Sequence, residues 1–484
     1  MTRILNAVRI PLANIDRYSP EQFRRVIAQT CRQRGRVVSL FAVPDEHDVL
    51  EYVVLATAGG ELAILSTVVS DPNPSLTPEC PQVHLFEREI AEEFGMAFLG
   101  HPWPKPVRFL TEPIGQTRYF EVEGEGIHEV AVGPVHAGII EPGHFRFQCE
   151  GEQVLHLEIS LGYQHRGVEP AMVGGPNARS IHYMETLAGD TTIGHAWAYC
   201  LAMEGLSASA VSPRAEALRG IALELERLAN HTGDLGALAS DVGFLPTASY
   251  CGRIRGDYLN MTALLCGNRF GRGMVCPGGV GFDVDTKRLD QLKALLSQAA
   301  RATASAVNLL WASNSVMSRF EQVGVVSVQT AHDLGLVGVA ARACGLERDV
   351  RFEFPWGIYR FAQIPVASLE TGDVYARAQV RWLEIQRSIE FIQAQLSSLP
   401  GGEIRTPLRD LKPDAAVVAM VEGWRGEIAH TAITDSRGQL RRYKIMDPSF
   451  HNWMGLAMAM RNQTISDFPL CNKSFNLSYC GHDL

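Results

Sequence analysis

Ten cysteines, at positions 31, 80, 149, 200, 251, 266, 276, 344, 471 and 480, are the side chains best suited to hold a redox metal. Thiolates are soft donors that suit zinc, copper and iron–sulfur clusters. Their spacing argues against such a site, because no two form the near-neighbour CxxC pair that metal-binding segments use. They read instead as free, mostly buried thiols of a reducing compartment. Glycine-rich segments are the next candidates. Gly271-Arg272-Gly273 runs into Met274, Val275 and Cys276, so the dinucleotide fingerprint is incomplete. Cys276 to Gly281 lacks the Gly-Lys-Ser/Thr that closes a phosphate loop. No GxSxG or HExxH occurs, which removes the serine-hydrolase and zinc-protease readings. These glycines then serve turns and close backbone approach.

The elements that carry these residues fall into two groups. In residues 1–110, Ser19 and Pro20 open a helix reaching about Gln33, with Gln22 placed to complete a capping box. Arg36 to Val43 and Tyr52 to Val69 are strand-like, the second folding back at Gly59-Gly60. Phe86, Ile90 and Phe94 lie four apart, which predicts one apolar helix face over Val83 to Phe94. Residues 111–130 hold few long apolar side chains and form the expected linker. In residues 131–484, Phe145-Arg146-Phe147 and Val154 to Ile159 flank Glu150-Gly151-Glu152 as a hairpin. Ser212-Pro213 then starts a helix with the apolar stripe Leu218, Ile221, Leu225 and Leu228. Leu289 to Trp311 and Asp373 to Leu396 are further helices. Strand-like text returns at Glu427 to Thr434 and Leu440 to Ile445. The expected class is α+β: a small N-terminal α/β domain, then a mainly helical large domain that begins with β-structure.

Composition sets limits on function. The 484 residues are 46% hydrophobic and 20% charged, enough apolar surface to exclude long disorder. The net charge is −9, from 44 Lys+Arg against 53 Asp+Glu, and no basic run resembles a nucleic-acid footprint. No stretch of about 18 uncharged apolar residues offers a membrane span. The N-terminal segment has no signal-peptide core, so a cytoplasmic location is expected.

Several ordered segments carry a family resemblance. Phe86-Glu87-Arg88-Glu89-Ile90-Ala91-Glu92-Glu93-Phe94-Gly95, followed by Gly100-His101-Pro102, resembles the signature of the 30 kDa subunit of complex I. Three later segments resemble the opening of the 49 kDa subunit: Gly133-Pro134-Val135-His136, Glu141-Pro142-Gly143-His144-Phe145-Arg146-Phe147, and Gly162-Tyr163-Gln164-His165-Arg166-Gly167-Val168-Glu169. The chain looks closer still to the large subunits of formate hydrogenlyase and hydrogenase-4, which fuse both units. The resemblance implies a peripheral subunit of a membrane-bound redox complex on the cytoplasmic side of the inner membrane. It also implies a hetero-oligomer with a small iron–sulfur subunit that carries the clusters, and with antiporter-like membrane subunits.

Nickel-iron members of this family hold their metals with four cysteines, and two of these must bridge the metals. In this sequence Ala188 and Thr191 stand at the first pair of positions, and Ser478 and Gly481 at the second. Cys480 is one residue out of register. The chain ends at Leu484, so the C-terminal extension that such precursors lose after metal insertion is not expected. No metal bound by this chain is therefore expected, and a quinone is the cofactor it would receive. In the complex I pattern His144 matches the cavity histidine and Asp241 its supporting carboxylate. The usual tyrosine falls at Gly189, leaving His195, Tyr183 or Thr191 as replacement donors. Glu141 matches a proton-relay glutamate, and His165, Arg166 and Glu169 match the side facing the iron–sulfur subunit.

Each of these has a plainer reading. His144 and Asp241 would be a satisfied structural pair. Glu141 would be a loop carboxylate, and His165, Arg166 and Glu169 a surface ion network. The run Glu87, Arg88, Glu89, Glu92 and Glu93 would be either a solvated helix face or a subunit contact. For the whole protein the alternative is a redox-silent scaffold of an ion-transport complex. A working nickel-iron hydrogenase comes third.

Overall fold

The computed structural model describes residues 1–45, 48–69, 73–136 and 140–484. The N-terminal unit is an antiparallel sheet in the order Thr2–Ile4, Leu62–Val68, Asp48–Ala56, Arg36–Asp45, with Arg17–Tyr18 running parallel to Leu62–Val68. The helix Pro20–Arg32 starts where Ser19 caps it, its hydroxyl accepting from the Gln22 N–H at 3.3 Å. Phe23 and Ile27 bury its apolar face. The helix His84–Phe94 follows the expected pattern, with Phe86 and Ile90 buried and Gly95 ending it in the left-handed region at φ 66°.

Three strands, Ile127–Val132, His144–Glu150 and Gln153–Ser160, lead into the large unit. The first four residues of Ile127–Val132 lie in the stretch expected to be linker. Its pairing with Phe145 to Glu150 supplies the backbone hydrogen bonds that a low-hydrophobicity segment could not signal by pattern. Five helices then build the core: Thr192–Ser207, Pro213–Asp241, Leu245–Cys266, Thr286–Trp311 and Val374–Ser397. Their N-termini follow side-chain caps where the sequence has them. Ser212 accepts from the Ala215 N–H at 3.2 Å, and Asp285 and Asp373 accept from Arg288 and Ala376 at 2.8 Å. Thr192–Ser207 is apolar nearly all round and is correspondingly buried on every face.

The C-terminal strands Ala415–Glu422, Glu427–Thr434 and Leu440–Met446 form a buried antiparallel sheet. Its free edge is closed by Ile10–Pro11 from the other end of the chain. The Asn6 side chain fixes that crossing. It donates to the carbonyls of Phe354 and Met420 at 2.8 and 3.0 Å and accepts from the Met420 N–H at 2.8 Å.

The charge run of the helix His84–Phe94 is neither a solvated face nor an outward contact. Glu87, Arg88 and Glu89 are buried. Glu87 accepts from the hydroxyls of Ser75 and Thr77 and from the Leu76 N–H. Glu92 accepts from the N–H groups of Val107, Arg108 and Leu110. Glu89 receives Arg108 at 2.9 Å and Lys444 at 2.6 Å, and Glu93 receives Arg442 at 2.7 Å. Glu169, expected to face a partner subunit, is also buried. It accepts from the Ile445 N–H at 2.8 Å and pairs with Lys444 at 3.1 Å. The reason is mutual: Lys444 has no exposed surface and needs two carboxylates to offset its desolvation.

Burial pushes the Glu89 carboxyl up, but Lys444 and Arg108 outweigh it and hold it down at about 2. Removing the cation therefore leaves Glu89 with Arg108 alone and Glu169 with the Ile445 N–H and the more distant Arg442. Lys444→Ala is expected to cost about 3–5 kcal/mol in urea denaturation. A cost below about 1 kcal/mol would mean that the pair behaves as an exposed one.

Candidate functional site

The hairpin strand His144–Glu150 decides which side chains can meet, because alternate residues face opposite ways. Phe145 and Phe147 point to a cavity of ≈ 490 Å³ between this strand, the end of the helix Pro213–Asp241 and the segment Ile465 to Tyr479. Asp241, His136, Lys473, Asn472 and Tyr479 share its wall. His144 faces the other way. Its Nδ1 lies 3.3 Å from the Gly133 carbonyl, its ring is 5.0 Å from Tyr119, and its Nε2 has no hydrogen-bond partner among the described residues. Burial pushes its pKa down.

The expected His144–Asp241 pair therefore does not form; the histidine that shares the cavity with Asp241 is His136. Its Nε2 lies 3.1 Å from the Gly143 carbonyl. Gly133 makes this close packing feasible: at φ +83° its Cβ would stand 2.0 Å from the Gly143 oxygen and 2.8 Å from the His136 ring. His136 is present in the Gly133-Pro134-Val135-His136 motif, but only the strand register shows that it, and not His144, faces Asp241. Desolvation at the cavity wall pushes Asp241 up to about 6, with Lys473 pulling the other way.

His195 and Thr191 are not on that cavity either. Thr191 is buried, and its hydroxyl is already used: it donates to Asp190 and accepts from Trp424 and Arg425. His195 lies inside the core between Asp447 at 3.0 Å and His430 at 3.1 Å. The loop Ala188–Thr191 and the tail Ser478–Gly481 do come together, as the family pattern implies. Arg425 joins them, donating to both carboxylate oxygens of Asp190, at 2.6 and 2.8 Å, and to the Asn476 carbonyl at 2.5 Å. Arg166 joins them again through the carbonyls of Thr186, Leu187 and Cys480. Arg166 stays exposed, and His165 bonds the Asp483 carbonyl at 2.8 Å.

At the four expected ligand positions the chain has a buried methyl (Ala188), an engaged hydroxyl (Thr191), a capping hydroxyl (Ser478) and no side chain (Gly481). Ser478 accepts from the Gly481 N–H at 2.9 Å. A Cβ on Gly481 would lie 2.6 Å from the Asp447 carboxyl carbon, so no larger side chain fits. Glu141 belongs here and not to the cavity with Asp241. It accepts from the Tyr479 N–H at 3.3 Å and from the Cys480 thiol. Burial, then the charge and hydrogen bond of Glu141, push that thiol up to about 12. Among the described residues no three His, Cys, Asp or Glu side chains converge as metal ligands. Arg425, Asp190 and Lys473 carried no recognisable motif, and only the fold gathers them.

Comparison with known proteins agrees with this architecture. Residues 17–115 match the family model described as the respiratory-chain NADH dehydrogenase 30 Kd subunit, and residues 241–412 match that of the 49 Kd subunit. The chain is similar to the carbon monoxide-induced hydrogenase of Rhodospirillum rubrum, 31% identical over 350 residues, or 72% of this chain and 97% of that protein. It is 28% identical to formate hydrogenlyase subunit 5 of Escherichia coli (strain K12), covering 90% of this chain and 81% of that one. It is 30% identical to NADH-quinone oxidoreductase subunit 4 of Thermus thermophilus, covering 69% and 89%. Among the described residues no helix is long and apolar enough to cross a membrane.

The Glu141–Cys480 contact makes a direct prediction. Glu141→Gln removes the charge that disfavours the thiolate, so Cys480 is expected to be alkylated several-fold faster at pH 8, on the order of tenfold per unit of lowered pKa. Peptide mass spectrometry reads the rate. An unchanged rate would place the carboxylate away from the sulfur.

Proposed function

The chain belongs to the complex I-like family of fused 30 kDa/49 kDa large subunits, and on that premise we propose that it receives a quinone or a similar acceptor in the cavity shared by His136 and Asp241. The observation that carries this reading is their convergence on an apolar-walled cavity of ≈ 490 Å³. That size and lining suit a flat ring with two carbonyl acceptors. With Nε2–H given to the Gly143 carbonyl, His136 donates to the ring from Nδ1 only when protonated, and Asp241 supplies a proton when neutral. Phe145, Phe147 and Leu477 cover the ring faces, and Tyr479 closes one side. Lys473 keeps Asp241 from rising further in pKa against the desolvation of the cavity wall.

His165 and Arg166, which remain at or near the surface, are the residues proposed to meet a small iron–sulfur subunit. Glu169 is withdrawn from that role by its burial. The complex is proposed to sit on the cytoplasmic face of a membrane, with the electron-carrying clusters in the small subunit and antiporter-like subunits in the membrane.

The donor set does not suit a nickel-iron centre. The two loops that would hold one carry no thiol at the four positions, and the nearby thiol of Cys480 is pushed up by burial and then by Glu141. We derive no step through such a centre. The saturated bonding of Thr191 and the burial of His195 favour a second reading, a redox-silent scaffold in which the loop pair is only a joint.

Two measurements test these readings. Short-chain ubiquinone analogue binding to the assembled complex is expected to weaken as pH rises through about 6. Asp241 is neutral and able to donate below its raised pKa, and above it an anion faces the carbonyl oxygen. Asp241→Asn is expected to bind without that pH dependence, and His136→Ala to bind about tenfold more weakly, the loss of one hydrogen bond. His144→Ala is expected to change nothing. The reverse pattern, with His144 sensitive and His136 silent, would overturn the cavity assignment. Elemental analysis of the complex with its small subunit retained is expected to give iron without nickel. Stoichiometric nickel would overturn the ligand argument, and neither metal would put the scaffold reading first.

A further inference from the structure

A second cavity, of ≈ 660 Å³, opens where three parts of the chain meet. The end of the helix Thr192–Ser207 and the start of the helix Pro213–Asp241 form its floor, through Leu201, Glu204, Val211 and Glu216. One wall is the N-terminal crossing segment from Ala7 to Arg9, and the other is the turn Gly357–Arg360 with Phe361. Two glycines let these walls close in. A Cβ on Gly205 would lie 2.4 Å from the Ala7 carbonyl oxygen, and one on Gly357 would lie 2.4 Å from Glu216 Oε2. The Ala7 N–H donates to the Val418 carbonyl at 2.8 Å, which fixes the first wall to the C-terminal sheet. The size falls within the range of about 300–1,000 Å³ that binding pockets occupy.

The charges on its lining do not balance. Glu204 is already engaged: it receives Arg219 at 2.6 and 3.1 Å and the Gly278 N–H at 2.8 Å. Burial pushes the Glu216 carboxyl up to about 7, with Arg219 pulling the other way, so at neutral pH it does not offset two cations. Arg9 Nη1 is buried and has no hydrogen-bond partner among the described residues. Arg360 is exposed and acts on Glu216 through charge alone. A guanidinium N–H shielded from water and left unbonded is costly. A carboxylate satisfies it best, because its two oxygens match the guanidinium fork.

The rim is apolar and open. Phe361 is 86% exposed and Val8 44% exposed. Leu5, whose carbonyl accepts from the Val8 N–H at 3.1 Å, is 71% exposed. A single exposed apolar side chain is ordinary, but a group of them around a cavity marks a contact surface. Aromatic side chains and arginines are also the residues that carry most of the energy at protein–protein contacts.

We propose that this cavity docks a segment of a partner subunit, which inserts an aspartate or glutamate side chain between Arg9 and Arg360 and lays an apolar side chain against Val8 and Phe361. Charge selects the segment. A basic one would meet two guanidinium groups, and a purely apolar one would leave Arg9 buried and unpaired. The rim selects a protein over a small anion, which would pair with the arginines but leave Leu5, Val8 and Phe361 in water. The proposal rests on the chain's membership of a family of complex subunits. It needs neither the acceptor cavity nor the contact at His165 and Arg166.

The assembled complex, purified with its other subunits, tests the site. Phe361→p-benzoylphenylalanine places a photo-cross-linker at the rim. Illumination is expected to join it to one other subunit, at a peptide that carries Asp or Glu beside the linked residue. Arg9→Glu and, separately, Arg360→Glu are expected to weaken binding of that subunit about tenfold or more at physiological salt, the effect of reversing one charge of an ion pair. Arg360 lies at the exposed rim, so its variant is expected to keep the thermal midpoint of the chain, which separates docking from folding. Changing the partner's acidic residue to Arg is expected to restore binding to the Arg360→Glu chain. No cross-link, a cross-link only within this chain or to a second copy of it, or a linked peptide without an acidic residue would overturn the proposal. So would undiminished binding in both variants.

Discussion

Lys444 is the point on which the two halves of the chain depend. It has no solvent exposure, so its charge survives only because Glu89 from the N-terminal unit and Glu169 from the large unit both reach it. Glu89 also takes Arg108, and Arg108 donates to the His482 carbonyl near the end of the chain. One buried cation thus ties the helix His84–Phe94, the strand Leu440–Met446 and the C-terminal tail. The same strand presents Lys444 and Arg442 to one side and Tyr443 to the other, where its hydroxyl lies 2.8 Å from His430 Nδ1. A register slip of one residue would bury the wrong set and break both networks together. The charge network therefore holds Tyr443 against His430 as firmly as it holds the two units together.

Alternation explains how much of the site was legible. Helix starts were readable because Ser19, Ser212, Asp285 and Asp373 cap by local chemistry that needs no tertiary partner. The hairpin was readable from its period of two. Which face of that hairpin meets Asp241 was not. The motif containing His144 lies on the correct strand, yet Phe145 and Phe147 face the cavity and His144 faces Tyr119. That outcome depends on how the strand sits on the end of a helix nearly a hundred residues away in sequence. The charge run of Glu87 to Glu93 failed for a similar reason. A solvated face and a fully paired buried face have the same composition, and only the positions of Lys444, Arg442 and Arg108 distinguish them.

The buried hydrogen-bonded row of Asp447, His195, His430 and Tyr443 was out of reach of local pattern altogether. His195 was singled out, but as a donor to an open cavity. Its two partners lie 235 and 252 residues away. His430 and Tyr443 sit in strands whose text reads simply as core. Long-range pairing of this kind leaves no periodicity, so it appears only when the sheet register is known.

The loop pair is tied by arginine side chains. Two loops held by bridging thiolates need no other cross-link, because the metal bonds fix their separation. Here the corresponding positions are Ala188, Thr191, Ser478 and Gly481, and the separation is fixed by guanidinium groups instead. Arg425 binds Asp190 with both nitrogens and reaches across to Asn476, while Arg166 gathers carbonyls from both loops. A planar fork with five donors suits this task, since it satisfies several fixed acceptors with one charge. Gly481 then allows the tail to lie directly on the Asp447 carboxyl, a contact that a cysteine side chain there would prevent. The absence of a side chain at position 481 and the seating of the tail on Asp447 are thus one structural feature.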